Sequence, residues 1–242
     1  EKTSMIDDAL ALLTETTQNW GLNLTPKQLD QFTTYAQELK LWNAKTNLTA
    51  ITDDRKIVLR LFLDSLRLAL SCTNPPQSLI DIGSGAGFPG LPLKLLYPQL
   101  KLVLVESVGK KIAFLEHIVQ VLGLENVTLL QKRAETVGKQ REYREKFEFA
   151  TARGVAEICV LAEYCLPLVE LGGLVLLPKG SDVSAEVEKA QSALTLLGGK
   201  LRKIEVVQLP ELKPSSLVCI EKVAATPNGY PRAIGIPTNR PL

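Results

Sequence analysis

One stretch of this 242-residue chain is well suited to holding a ligand: Leu79-Ile80-Asp81-Ile82-Gly83-Ser84-Gly85-Ala86-Gly87-Phe88-Pro89-Gly90, an apolar strand that runs straight into closely spaced glycines and then a helix. Glycine reaches positive φ without penalty and, lacking Cβ, lets a ligand approach the backbone. The start of the following helix offers N–H groups that have no intrahelical partner. A nucleoside-containing cofactor fits such a place. Glu106, about twenty residues further on at the end of the next strand, puts a carboxylate where ribose hydroxyls are held in dinucleotide turns.

Gly85, Gly87 and Gly90 satisfy the GxGxxG spacing, so a nicotinamide or flavin cofactor is one reading of the turn. Two features favour a methyl donor instead. Asp81, two residues before Gly83, is placed to orient the turn or to meet an ammonium group. A carboxylate there is acceptable beside S-adenosylmethionine, which has an amino-acid end and no pyrophosphate, and would repel a dinucleotide. Ala134-Glu135, just beyond the third strand, is placed to border an adenine. The plain alternative is a tight strand-to-helix turn that binds nothing.

Other chemistry finds little support. Cys72, Cys159, Cys165 and Cys219 show no CxxC spacing, and the single histidine, His117, sits inside a helical pattern, so no metal is expected. A net charge of +2 neither demands nor excludes a nucleic-acid partner, because charge distribution outweighs the total. With 45% hydrophobic and 22% charged residues, the composition is that of a globular protein. The start lacks the order of a secretion signal and no apolar run reaches about eighteen residues, so a cytoplasmic protein with no membrane partner is expected. On that reading the glycosylation-like triplets at Asn23, Asn47 and Asn126 carry no meaning.

Around this turn the chain divides into three parts. Residues 1–74 form a helical lead-in, with Thr25-Pro26 opening its second helix and a third helix expected from Asp53 to Ser71. Residues 75–223 alternate short β-branched runs with amphipathic helices, the pattern of βαβ units. Strands are expected at Ser78–Ile82, Lys101–Glu106, Asn126–Gln131, Phe147–Thr151 and Gly173–Leu177. Helices are expected at Gly90–Leu96, Lys110–Leu122, Val155–Glu170 and Val183–Leu197. Two last strands, Lys203–Leu209 and Leu217–Val223, lack a helix between them and suit an antiparallel hairpin at the sheet edge. Residues 224–242 carry four prolines and two arginines without an acidic residue, and read as a basic extended arm. The whole is an α/β, Rossmann-like, doubly wound seven-stranded sheet of the class I methyltransferase kind.

The glycine segment Gly83 to Gly90 resembles the signature of the RsmG (GidB) family of bacterial 16S rRNA guanine-N7 methyltransferases. So do Asn47-Leu48-Thr49, Phe62-Leu63-Asp64-Ser65-Leu66, Arg133-Ala134-Glu135, Thr151-Ala152-Arg153 and Tyr230-Pro231-Arg232, in the family's order. The resemblance implies methyl transfer from S-adenosyl-L-methionine to N7 of a guanine in 16S rRNA or the 30S subunit. It places the cofactor against Gly83, Phe88, Glu106, Ser107, Val108, Ala134, Glu135 and Arg153. Family members often carry Arg-His before the Phe-Leu-Asp-Ser-Leu segment, where this chain has Arg60-Leu61. Guanine N7 carries no proton, so transfer to it requires no general base. Arg153 is expected to position the reactants, and Lys179, Arg232, Arg240, Arg60 and Lys45 to face RNA. A small-molecule methyltransferase and a non-catalytic RNA-binding or assembly protein are the competing readings, with a nicotinamide enzyme behind them.

Overall fold

The structure is a computed structural model that describes residues 5–72, 74–154 and 156–242. The lead-in begins with α1 (Met5–Asn19) and α2 (Pro26–Thr46). Thr25 starts α2 through a capping box in which its hydroxyl accepts from Gln28 N–H and the Gln28 amide oxygen accepts from Thr25 N–H. The expected single helix from Asp53 to Ser71 is instead a helical run of four pieces: α3 (Asp54–Ile57), a π-helical turn (Val58–Leu63), α4 (Asp64–Leu66) and a 3-10 turn (Arg67–Ser71). Widening to the π form adds residues to a turn without breaking the helix, a change the apolar period does not announce.

Beyond it come β1 (Ser78–Ile82), α5 (Gly90–Leu96), β2 (Lys101–Val105), α6 (Gly109–Val121), β3 (Val127–Leu130), α7 (Ala134–Val137) and β4 (Phe147–Ala152). They are followed by α8 (Ile158–Cys165), a 3-10 turn (Leu166–Leu168), β5 (Val169–Lys179), α9 (Ser184–Leu196), β6 (Gly199–Val207), β7 (Ser215–Lys222) and α10 (Ile236–Asn239). The helix expected to start at Val155, which lies outside the described residues, ends at Cys165 rather than Glu170. Pro167 has no N–H to continue the ladder, and the chain turns there into a strand longer than its Gly173–Leu177 apolar core.

The seven strands form one sheet in the order β3-β2-β1-β4-β5-β7-β6. The first five are parallel, and β7 inserts antiparallel between β5 and β6, which makes the expected edge hairpin. Alternation along each strand supplies two cores. Leu79, Leu102, Leu104, Phe149 and Leu174 share one with the lead-in helices, α5 and α6, whereas Ile80, Val103, Ala150, Val175 and Val218 share the other with α8 and α9. Crossovers leave β1 toward β2 on one side while β4 lies on the other, so the C-terminal end of β1 is the sheet's switch point, where open α/β sheets bind ligands.

The C-terminal arm is not simply extended. It folds back and ends in the one-turn α10, with Pro237 in its first turn, a position proline tolerates. No helix among the described residues is long and apolar enough to cross a membrane.

Candidate cofactor pocket and adjoining basic cavity

The glycine turn leaves β1 with Gly83, Gly85 and Gly87 all at positive φ, +69°, +59° and +98°. Gly87 has no room for a side chain: a Cβ there would stand 2.4 Å from Leu91 Cδ1 and 2.6 Å from the Tyr35 hydroxyl. The lead-in fixes the turn from outside. Tyr35 donates to the Ala86 carbonyl (2.5 Å) and stacks on Phe88 at 5.1 Å between ring centroids, and Phe62 lies beside both rings. Gly87→Ala combines strain with overpacking and is expected to lower the unfolding free energy by roughly 2–4 kcal/mol in a urea titration.

Asp81 braces the turn from below. It is fully buried, its Oδ2 accepts from Gly90 N–H at 2.9 Å, and its Oδ1 has no hydrogen-bond partner among the described residues. Burial pushes its carboxyl up to about 7, against the opposing pull of the Gly90 N–H and the Arg153 charge. Through Oδ2, Asp81 ties the start of α5 to the end of β1.

Glu106 faces the turn from the end of β2. Its Oε2 accepts from Gly85 N–H (3.0 Å) and its Oε1 from Val108 N–H (2.9 Å), with Lys111 Nζ 3.9 Å away. These bonds fix the carboxylate's orientation and leave two of its roughly four lone-pair sites free. Glu135, on α7, is also buried. Its Oε1 accepts from Gly235 N–H (2.9 Å) and lies 3.4 Å from the Tyr164 hydroxyl, while its Oε2 has no hydrogen-bond partner among the described residues and Arg133 Nε stands 3.7 Å off.

Gly83, Glu106, Ser107, Val108, Ala134 and Glu135 line one cavity of about 340 Å³ at the switch point. The expected cofactor residues are therefore largely brought together, with Asp81, Gly85, Gly87 and Phe88 supporting the turn rather than lining the wall. Arg153 lies elsewhere: it lines a second, larger cavity of about 760 Å³ together with Arg60 and Lys179. Its guanidinium donates to Asp64 Oδ2 (3.2 Å) and to the Arg60 carbonyl (3.1 Å), and lies 5.5 Å from the centre of the Phe88 ring. Gly154 lines the larger cavity and Ala156 the smaller.

Sequence reasoning missed Lys111, Tyr164 and Thr238 in the smaller cavity's wall. Lys111 was within reach, because it opens α6 one turn after Glu106. Tyr164 and Thr238 share a hydrogen bond of 3.0 Å that unites α8 with the arm, and no local pattern marks it.

The expected RNA-facing residues separate in the same way. Lys45 and Arg240 are exposed and line neither cavity. Lys179 pairs with Glu186 (2.7 Å) and donates to the Ala156 carbonyl (3.0 Å). Arg232 makes a two-pronged pair with the buried Glu163, Nη2 to Oε2 at 2.7 Å and Nε to Oε1 at 2.9 Å, and its backbone N–H also donates to Oε1 (2.7 Å).

No cysteine or histidine among the described residues lines either cavity. Burial pushes the Cys72 thiol up to about 12 and raises Cys159, Cys165 and Cys219 as well, which disfavours the thiolate in each. His117 pairs with Glu38 at 2.6 Å and lines neither cavity. No cluster of His, Cys, Asp and Glu among the described residues is arranged to hold a metal ion.

A glycine turn, a carboxylate facing it from the end of β2 and a parallel sheet closed by an antiparallel β7 are the features of a methyltransferase of the class I fold. Solved structures agree on the fold: a SAM-dependent methyltransferase from Aquifex aeolicus aligns with a TM-score of 0.54 at 18% identity, covering 71% of this chain and 95% of that one. TYW2 of M. jannaschii, solved in complex with AdoMet, aligns at 0.53 and 15% identity, covering 66% and 75%. The family model GidB, rRNA small subunit methyltransferase G, matches residues 28–213. Proteins named "Ribosomal RNA small subunit methyltransferase G" are 55% identical in Roseiflexus sp. (strain RS-1), over 96% of this chain and 99% of the relative, and 42% identical in Brevibacillus brevis, over 92% and 94%. The chain belongs to the GidB family and is an S-adenosylmethionine-dependent methyltransferase.

Proposed function

We propose that this protein transfers a methyl group to N7 of a guanine in 16S rRNA, presented in the 30S subunit, and that it works in the cytoplasm. Family membership supports the substrate. The observation that carries the chemistry is a cofactor-sized pocket at the switch point beside a basic cavity, with no cysteine and no histidine among the described residues of either wall.

The residues suit S-adenosylmethionine. The free lone pairs of Glu106 are acceptors for ribose hydroxyls, the unpartnered Glu135 Oε2 is an acceptor for an amino or hydroxyl donor, and the bare backbone at Gly83 and Gly85 admits close approach. When bound, this cofactor supplies an electrophilic methyl group on a sulfonium. The protein's part is to orient and to exclude water. Guanine N7 has an in-plane lone pair and no proton to lose, so no side chain has to act as base. Arg153, held between Asp64 and the face of Phe88 in the wall of the larger cavity, is a positioning group. Alignment of two bound reactants supplies roughly 7–11 kcal/mol in favourable cases.

The test is transfer of labelled methyl from S-adenosylmethionine to 30S subunits that lack 7-methylguanosine, followed by nucleoside mass spectrometry. Labelled 7-methylguanosine is expected, with at least a hundredfold loss of rate in Glu106→Ala. Cofactor binding without label in rRNA would move the substrate to a small molecule or leave an RNA-binding protein with a retained pocket.

A further inference from the structure

The larger cavity holds more positive charge than it neutralises. Asp64 is divided between two guanidinium groups, with Oδ1 2.8 Å from Arg67 Nε and Oδ2 3.2 Å from Arg153 Nη1. Glu211, the other acidic residue of the wall, is paired with Arg55 from outside it. Arg60 and Lys213 are exposed in this wall, and neither side chain has an acidic partner among the described residues. Arg67 is the unusual member. It lines the cavity with only 2% of its surface exposed, spends Nε on Asp64 and Nη2 on the Ser216 carbonyl (3.5 Å), and leaves Nη1 with no partner among the described residues.

A buried guanidinium with an unmet donor is costly unless something accepts from it, and burial already lowers the proton affinity of Arg67. The acceptor has to be anionic to balance the free charges of Arg60 and Lys213, and it must fit a cavity of about 760 Å³ that reaches Arg153. A phosphate meets these demands, and guanidinium forks recognise it well.

We propose that the larger cavity is a phosphate subsite for the RNA strand that carries the target base, with Arg67 Nη1 as its inner donor and Arg60 and Lys213 at its rim. The proposal rests on the rRNA methyltransferase reading and adds the place where the strand is gripped. Asp64 then serves both halves of the site, since the carboxylate that holds Arg67 for the phosphate also holds Arg153 for the reactants.

The experiment uses the full chain loaded with S-adenosylhomocysteine and a small-subunit rRNA transcript, with binding measured from 50 to 300 mM salt. Combined Arg60→Gln and Lys213→Gln, both at exposed positions, is expected to flatten the slope of log K against log salt by about 0.7, the loss of one phosphate contact on single-stranded RNA. S-adenosylhomocysteine affinity should stay unchanged. Arg67→Gln should give a similar flattening, with thermal unfolding recorded to separate a folding defect. An unchanged slope in the folded double variant overturns the proposal. The phosphorus resonance of guanosine 5′-monophosphate, recorded with both proteins, separates the sources. Broadening lost in the variant while the RNA slope is unchanged would assign the site to a free nucleotide and overturn the strand assignment. The reading beneath it fails separately: a slope that flattens as expected in the variants, with no label placed on rRNA by the wild-type protein, keeps the phosphate site and loses the methyl transfer.

Discussion

Reversing the charge at Arg232 is expected to unfold the protein at a markedly lower temperature rather than simply to weaken RNA binding. Arg232 grips Glu163, whose side chain is 1% exposed, through two side-chain bonds and one backbone bond. Arg232→Glu sets a second carboxylate against a buried one that cannot reach water. Removing one partner of a buried pair costs about 3–5 kcal/mol, and the quarter exposure of Arg232 favours the lower end. At about 2–4 °C per kcal/mol for a chain of this size, a fall in melting temperature of roughly 6–12 °C should appear in a thermal scan. Arg232→Lys keeps the charge, loses the fork and should fall by less. Reduced rRNA binding with an unchanged melting temperature would instead return Arg232 to the RNA-facing role.

The second large effect is a pH dependence centred on Asp81. Its carboxyl is raised to about 7 in the fold, principally by burial, and an unfolded aspartate titrates near 3.9. Between those values the native state holds a proton that the unfolded chain has released. Stability is therefore greatest below about pH 4, falls as pH rises, and levels off above about 7. At about 1.4 kcal/mol per pH unit, raising the pH from 5 to 8 should remove roughly 3 kcal/mol through this one group. Asp81→Asn keeps an acceptor for the Gly90 N–H and has no proton to lose, so relative to wild type it should gain about that amount over the same interval. Urea titrations of both proteins at the two pH values measure it. A constant difference would mean that Asp81 is ionised throughout.

These effects mark where the sequence was legible. The sheet was readable because the parallel strands carry apolar runs bounded by turn residues and helices, and β1 with α5 came out at its expected bounds. The glycine turn was readable because positive φ and missing Cβ atoms are local demands, and Glu106 because its distance from the turn follows from βαβ geometry. Roles that depend on distant partners were not. Arg232 reads as a free cation until the fold brings Glu163 from 69 residues away, and the arm reads as extended until Gly235 meets Glu135. Arg67 reads as one more polar position on a helix. Its burial against Ser216 follows from the packing of the lead-in on β7, which no window of sequence contains.

The arm's return to Glu135 has a consequence for the order in which the protein is made. Thr238 emerges from the ribosome after every other wall residue of the candidate pocket, just behind Gly235, and the two bond Tyr164 and Glu135 respectively. A growing chain can complete the sheet and the glycine turn while this wall is still missing. During that interval Glu135 Oε1 lacks its backbone donor, and the pocket is open on the side that α10 later closes. Completion of the candidate pocket is thereby tied to the arm, so a chain cut short within it would keep every strand of the sheet and lack a finished wall.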